Sequence, residues 1–224
     1  MLKQIPGKIY IESQRGKVTE DSGETYCLFN YKMFINEHKK PILPLQYFNE
    51  TILNPGGKIS LNIAGATCFI LPLYNMVEIL AGSHLIRLYP GEAICFENHA
   101  DILCYNPHSN ESVSFIWFVL HNENVPVNSL YQKIILPINK IKNQWINLFS
   151  GHLNAKITCM DSRAELEYCS VSFEKSTSFF FNIAGTFEVC GRLLNQNDGL
   201  VLYDYNKADI EALSPDSIML LLEL

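Results

Sequence analysis

The chain has 224 residues, 48% of them hydrophobic and only 18% charged, with a net charge of −6. That composition supports one large folded domain or two small ones and excludes intrinsic disorder. No run approaches the ~18 apolar residues of a membrane-spanning helix, no apolar signal core occupies the N-terminus, and the longest basic run is Lys39–Lys40. Neither a membrane nor nucleic acid is therefore an expected partner. The cysteines, at 27, 68, 95, 104, 159, 169 and 190, are odd in number and form no CxxC pair. They read as reduced, mostly buried thiols of a cytoplasmic protein.

Short apolar runs separated by turn residues predict strands at Lys8–Glu12, Leu45–Phe48, Gly57–Ala64, Thr67–Leu73, Val77–Leu80, Leu85–Leu88, Glu92–Phe96 and Ser112–His121. The last is apolar on both alternating faces, with Val113, Phe115, Trp117 and Val119 on one and Ile116, Phe118 and Leu120 on the other. Burial on both faces fits a strand inside a closed or sandwiched sheet. The polar stretch from Asn122 begins a linker over about 122–142, with a helical turn at 137–142 and a strand at 144–149. Further strands are predicted at Lys156–Met160, Glu165–Phe173, Phe179–Ile183, Thr186–Val189, Gly199–Tyr203 and Ile218–Leu224. Turn signals such as Pro55-Gly56-Gly57, Pro90-Gly91 and Asn197-Asp198-Gly199 divide them. The pattern is all-β, sandwich or barrel.

A faint internal repeat relates Val77-Glu78-Ile79 and Pro90-Gly91-Glu92 to Phe187-Glu188-Val189 and Asn197-Asp198-Gly199. The tetrapeptide Asn-Ile-Ala-Gly, at 62–65 and again at 182–185, is out of register with it and is read as coincidence. Two β units follow, residues 1–125 and 126–224.

The runs Phe29-Asn30-Tyr31, Pro44-Leu45-Gln46-Tyr47-Phe48-Asn49-Glu50 and Leu53-Asn54-Pro55-Gly56-Gly57, with Arg15-Gly16 and Val113–Leu120, resemble the N-terminal half of the pirin-like bicupins. Residues 156–224 resemble the C-terminal cupin of the same family. The resemblance implies two tandem jelly-roll barrels. It lays the first cupin motif on Gly56, Asn62, Ala64, Cys68 and Asn75, and the second on Gly91, Glu97, His99, Ile102 and Asn106. Asn75 stands where the motif has glycine, a tolerable exchange because Asn enters left-handed backbone more easily than most residues.

In the family, three histidines and a glutamate hold iron or another divalent metal. The resemblance places Asn62, Ala64, Ile102 and Cys104 there. Residues two apart on a strand share a face, so 62 and 64 are expected to look inward together, as are 102 and 104. Ala and Ile offer no donor and an amide is a weak one, so no metal and no other cofactor is expected. A zinc site from Cys68, Cys104 and His99 is the alternative. By the internal repeat, positions 62, 64 and 68 correspond to Ser172, Glu174 and Ser178, which make no metal triad. GxSxG, Walker, GxGxxG and HExxH motifs are absent from the sequence.

The expectation is a non-catalytic bicupin that binds a small molecule or a protein partner, with Asn62, Ala64, Cys68, Ile102 and Cys104 as its pocket. The alternatives are a quercetin 2,3-dioxygenase-like enzyme with non-standard ligands, and a structural or oligomeric protein with filled barrels.

Overall fold

The computed structural model describes residues 5–63, 65–97, 101–121, 131–138, 140–149, 154–170 and 176–224. In chain order its strands begin with β1 (Gly7–Tyr10), β2 (Gly16–Glu20), β3 (Gly23–Cys27), β4 (Leu45–Leu53), β5 (Lys58–Asn62), β6 (Ala66–Tyr74) and β7 (Val77–Ala81). They continue with β8 (His84–Leu88), β9 (Glu92–Glu97), β10 (Asp101–Tyr105), β11 (Val113–His121), β12 (Gln132–Ile135), β13 (Ile146–Asn147) and β14 (Ala155–Met160). The last are β15 (Glu165–Cys169), β16 (Thr177–Ala184), β17 (Phe187–Val189), β18 (Arg192–Leu194), β19 (Gly199–Tyr203), β20 (Lys207–Ala212) and β21 (Ser217–Glu223). Among the described residues the one helical element is a 3₁₀ turn at Glu12–Gln14, and no helix is long and apolar enough to cross a membrane.

The strands form two units. The first, Arg15–Leu136, has a long sheet in the order β12-β9-β6-β11-β4-β3-β2 and a short one in the order β5-β10-β7-β8. One apolar cluster takes side chains from both sheets, among them Leu61, Ile79, Ile102, Cys104, Phe96, Phe115 and Trp117. The two sheets therefore pack face to face, as their alternating patterns require. β11 lies between β4 and β6 and is covered on both sides, as its two apolar faces predict. On one side Phe118 stacks on Phe48 at 5.6 Å and on Phe69 at 4.6 Å, and on the other Phe115 and Trp117 join the cluster.

The second unit, Met1–Gln14 with Pro137–Leu224, repeats the topology. Its sheets run β1-β19-β16-β21-β14-β13 and β15-β20-β17-β18, so β14 to β21 occupy the places of β4 to β11. The Val77 and Phe187 segments fall on β7 and β17, as the sequence repeat requires. The two Asn-Ile-Ala-Gly copies do not correspond, since Asn62 ends β5 and Asn182 lies within β16. The turn after β6 is made by Asn75 at φ +60°, and the matching turn after β16 by Gly185 at φ +80°. A side chain at Gly185 would strike Ser217.

The expected division at 125/126 is replaced by these boundaries, and the reason is an edge. In the first unit β12 covers the outer edge of β9. In the second the equivalent edge, on β19, is covered by β1 from the other end of the chain. β12 also falls inside the expected linker, of which 122–130 lies outside the described residues. The turn at 137–142 is present, with the Lys140 and Ile141 N–H groups both donating to the Pro137 carbonyl at 2.9 Å. The strand expected at 144–149 contracts to Ile146–Asn147.

Candidate functional site

The inner surface of the short sheet of the first unit is set by strand alternation. β5 reads exposed–buried–exposed–buried–exposed, so Ile59 and Leu61 point inward, followed by Ile63 just beyond the strand, at 3% exposure. On β10, Ile102 and Cys104 point inward and neither is exposed to solvent. Ile102 lies opposite Leu61 and Ala81, and Cys104 opposite Ile59 and Ile79. From the long sheet Cys68 faces the same cluster, opposite Val119 and Phe96.

Of the five pocket positions read from the sequence, Cys68, Ile102 and Cys104 thus come together in one apolar cluster. Asn62 does not join them. It is exposed, opposite the exposed Asp101 on the outer face. The inward residues of this segment are 61 and 63, one position from the expected register. Ala64 and His99 lie outside the described residues, as do Ser172 and Glu174 of the second unit.

Among the buried side chains of this cluster the heteroatoms are the two thiols and the Trp117 indole N–H, which is a donor only. A thiol binds metal as thiolate, and here burial pushes both Cys68 and Cys104 well above the ordinary thiol range, Cys68 further so through the neighbouring thiols of Cys104 and Cys95. Among the described residues no three His, Cys, Asp or Glu side chains are grouped so as to hold a metal ion. Among the described residues, the inward side chains of β5 and β10 offer one thiol and no imidazole or carboxylate, a donor set that does not fit divalent iron or nickel.

One further residue of the second motif frame, Asn106, serves the backbone. Asn106 is fully buried, and its Nδ2 donates to the carbonyls of Leu53, Asn54 and Glu111 at 3.1, 2.9 and 2.8 Å. Its Oδ1 accepts from the His108 N–H at 3.0 Å. One side chain thereby fastens the ends of β4, β10 and β11.

Sequence reading passed over a polar network in the second unit. Ser178, in the place of Cys68, accepts a 2.6 Å bond from the Tyr205 hydroxyl and lies opposite Glu223 on β21. The Glu223 carboxylate accepts from the Tyr168 hydroxyl at 3.0 Å, Ser170 at 2.7 Å and Asn154 Nδ2 at 2.8 Å. Burial holds Tyr168 and Tyr205 above the usual phenol range, so both remain donors. The signal in the sequence is the polar run Ser176-Thr177-Ser178 that leads into the apolar Phe179-Phe180-Phe181 of β16.

On the outer side of β15, β20 and β17, a concavity of about 360 Å³ is lined by Glu165, Glu167, Glu188, Cys190, Asp209 and Glu211, among others. Glu165, Glu211 and Glu188 lie directly opposite one another across the three strands. Lys207 pairs with Glu167 and Asp209, and Arg163 with Glu211.

No family model matches the sequence, and no curated protein matches it. Solved structures do match. YhhW from Escherichia coli superposes with a TM-score of 0.86 at 14% identity, over 98% of this chain and 97% of that one. The bacterial pirin YhhW from Escherichia coli in complex with nickel(II) gives 0.83 at 14% identity, over 98% and 99%. A quercetin 2,3-dioxygenase from Acinetobacter baumannii gives 0.72 at 12% identity, over 100% and 87%. The likeness is one of fold, end to end and without close sequence identity: the chain has the two-unit, all-β fold seen in a bacterial pirin and in a quercetin 2,3-dioxygenase.

Proposed function

We propose that this chain is a pirin-like bicupin that has lost its metal ligands and works by binding a small molecule or a protein rather than by catalysis, in the cytoplasm. The observation that carries the reading is the inner face of β5 and β10. Leu61, Ile63, Ile102 and Cys104 are all buried there, and three of the four have no lone pair to offer. Divalent iron or nickel takes imidazole or carboxylate, and a single buried neutral thiol does not replace four such ligands. Quercetin-type oxygenation relies on a metal to activate the substrate toward oxygen, and these residues supply no comparable group.

Metal content per chain tests this directly, measured on tag-free protein before and after incubation with iron, nickel, copper and zinc. The expected ratio is near zero in every case, with no oxygen uptake in the presence of quercetin. A stoichiometric metal that survives dialysis would overturn the reading in favour of an oxygenase with non-standard ligands, and Cys68, Cys104 and His99 would be the first residues to replace.

A further inference from the structure

A second polar feature of the first unit lies on β4. Its inner face carries Tyr47, Asn49, Thr51 and Leu53, and Asn49 lies opposite Trp117 on β11 and Cys27 on β3. Asn49 is 1% exposed, yet neither its Nδ2 nor its Oδ1 has a hydrogen-bond partner. A carboxamide carries two donor hydrogens and an acceptor oxygen, and burying it unpaired is costly. The neighbouring groups do not relieve it. Trp117 Nε1 donates to Thr51 Oγ1 at 2.9 Å, and the Thr51 and Thr25 hydroxyls are 3.0 Å apart. That pair uses one hydroxyl hydrogen between them and leaves the second for another acceptor.

The surroundings specify what would fit. Tyr31, Tyr47 and Trp117 make an aromatic wall, with ring centroids 5.5 Å (Tyr31–Tyr47), 5.4 Å (Tyr31–Trp117) and 6.2 Å (Tyr47–Trp117) apart. Trp117 is buried and the two tyrosines are half-buried, so the wall runs from the interior toward solvent. Glu50, the adjacent acid, belongs to the other face of β4 and is paired with Arg15 at 2.9 Å. A charged guest at Asn49 would lack a counter-ion, so a neutral one is favoured. Aromatic edges and faces favour a flat one.

We infer that the first unit binds a small, neutral, planar molecule bearing an amide or lactam, its donor and acceptor paired with the Asn49 carboxamide and its ring against Tyr47 and Trp117. This inference does not rest on the metal question, since Asn49 is not among the metal-ligand positions.

Benzamide is the probe. The protein has two tryptophans, 117 and 145, so two indole N–H resonances appear in a ¹H–¹⁵N spectrum, assigned by the Trp145→Phe variant. Benzamide is expected to shift the Trp117 resonance saturably and leave that of Trp145 in place, with toluene and benzoate at least tenfold weaker. Asn49→Leu is expected to reduce benzamide affinity at least tenfold while unfolding no earlier than the wild type, because it removes an unpaired buried amide. Three results would overturn the inference: no Trp117 response in the wild type up to the solubility of benzamide, an equal response in Asn49→Leu, or magnetisation exchange between the Asn49 amide and water that benzamide leaves unchanged, which marks ordered water only. If Asn49→Leu does not fold, the wild-type titration with its two control compounds decides.

Discussion

The cysteines of this chain differ by position in ways their spacing does not show. Cys27, Cys68, Cys95, Cys104 and Cys159 are buried, Cys190 is intermediate and Cys169 is exposed. Alkylation of native protein is expected to label Cys169 first, Cys190 more slowly and the other five only on unfolding, which mass mapping of labelled peptides checks. Burial pushes Cys27 up to about 12 and raises Cys68, Cys95 and Cys104 as well. In the unfolded chain these thiols ionise near ~8.5. Their contribution to stability is therefore complete below that pH and is lost as pH rises toward the folded-state values. Each thiol adds at most about 1.4 kcal/mol of loss per pH unit across that window. Denaturant midpoints measured from pH 7 to pH 10 are expected to hold to about 8 and then fall; a flat profile through pH 10 would contradict the burial of these groups. Asn106 is a second residue-scale case. Asn106→Ala removes the clamp on three carbonyls and is expected to cost about 2–4 kcal/mol, read from urea unfolding.

At the scale of the element, β5 shows what a motif register can and cannot deliver. The frame placed Asn62 and Ala64 inward, but the backbone alternation places Leu61 and Ile63 there, and a shift of one residue reverses every side chain of a strand. A direct comparison follows. Leu61→His, Ile63→His, Ile102→His and Cys104→Glu together are expected to create a nickel site, seen as one metal per chain and a rise in Tm on adding nickel. The set with Asn62→His and Ala64→His in place of the first two is expected to take up less, because residue 62 faces outward. Equal uptake by the two sets would sink the inward assignment of Leu61. Elements with clean alternation or continuous apolar runs, such as β9, β11 and β19, were legible in the sequence. β2, β3, β10, β18 and β20 were not, because they are short, carry charges on exposed faces and are held by their neighbours in the sheet rather than by intrinsic propensity. Of the candidate site, Cys68, Ile102 and Cys104 were legible as one cluster through the cupin frame. Asn49 was quoted only as part of a family run, since nothing local in Tyr47-Phe48-Asn49 says that its amide goes unpaired. The Glu165–Glu211–Glu188 row was equally hidden, being a product of pairing. Like charges directly opposite are destabilising by a few tenths to ~1 kcal/mol, so Glu188→Lys is expected to raise the unfolding midpoint, most visibly at low salt.

For the whole molecule, the repeat of β4–β11 as β14–β21 means that each unit encloses an apolar cluster of its own. The units differ in how each closes its long sheet. β1 lines up on β19 from Gly7 opposite Leu202 to Tyr10 opposite Gly199, and Tyr10 is 1% exposed. Removing residues 1–14 is expected to lower the Tm and promote association, because it uncovers the backbone edge of β19. Size-exclusion profiles and thermal unfolding of the truncated protein check this, and an unchanged Tm would mean that β1 adds nothing to its sheet.

The same arrangement has a consequence in time. The Glu12 amide meets the carboxylate of Asp198 across a sequence separation of 186 residues. At ribosomal speeds of ~5–20 residues per second, the opening strand waits roughly ten to forty seconds before its partner has been made. Through that interval the middle of the chain, Arg15–Leu136, can complete its own sheets, while Gly7–Tyr10, made before it, finds its place after it. Lys8, on an otherwise short strand, suits a segment that must stay unpaired in company, since a charge on a free edge discourages the wrong neighbour.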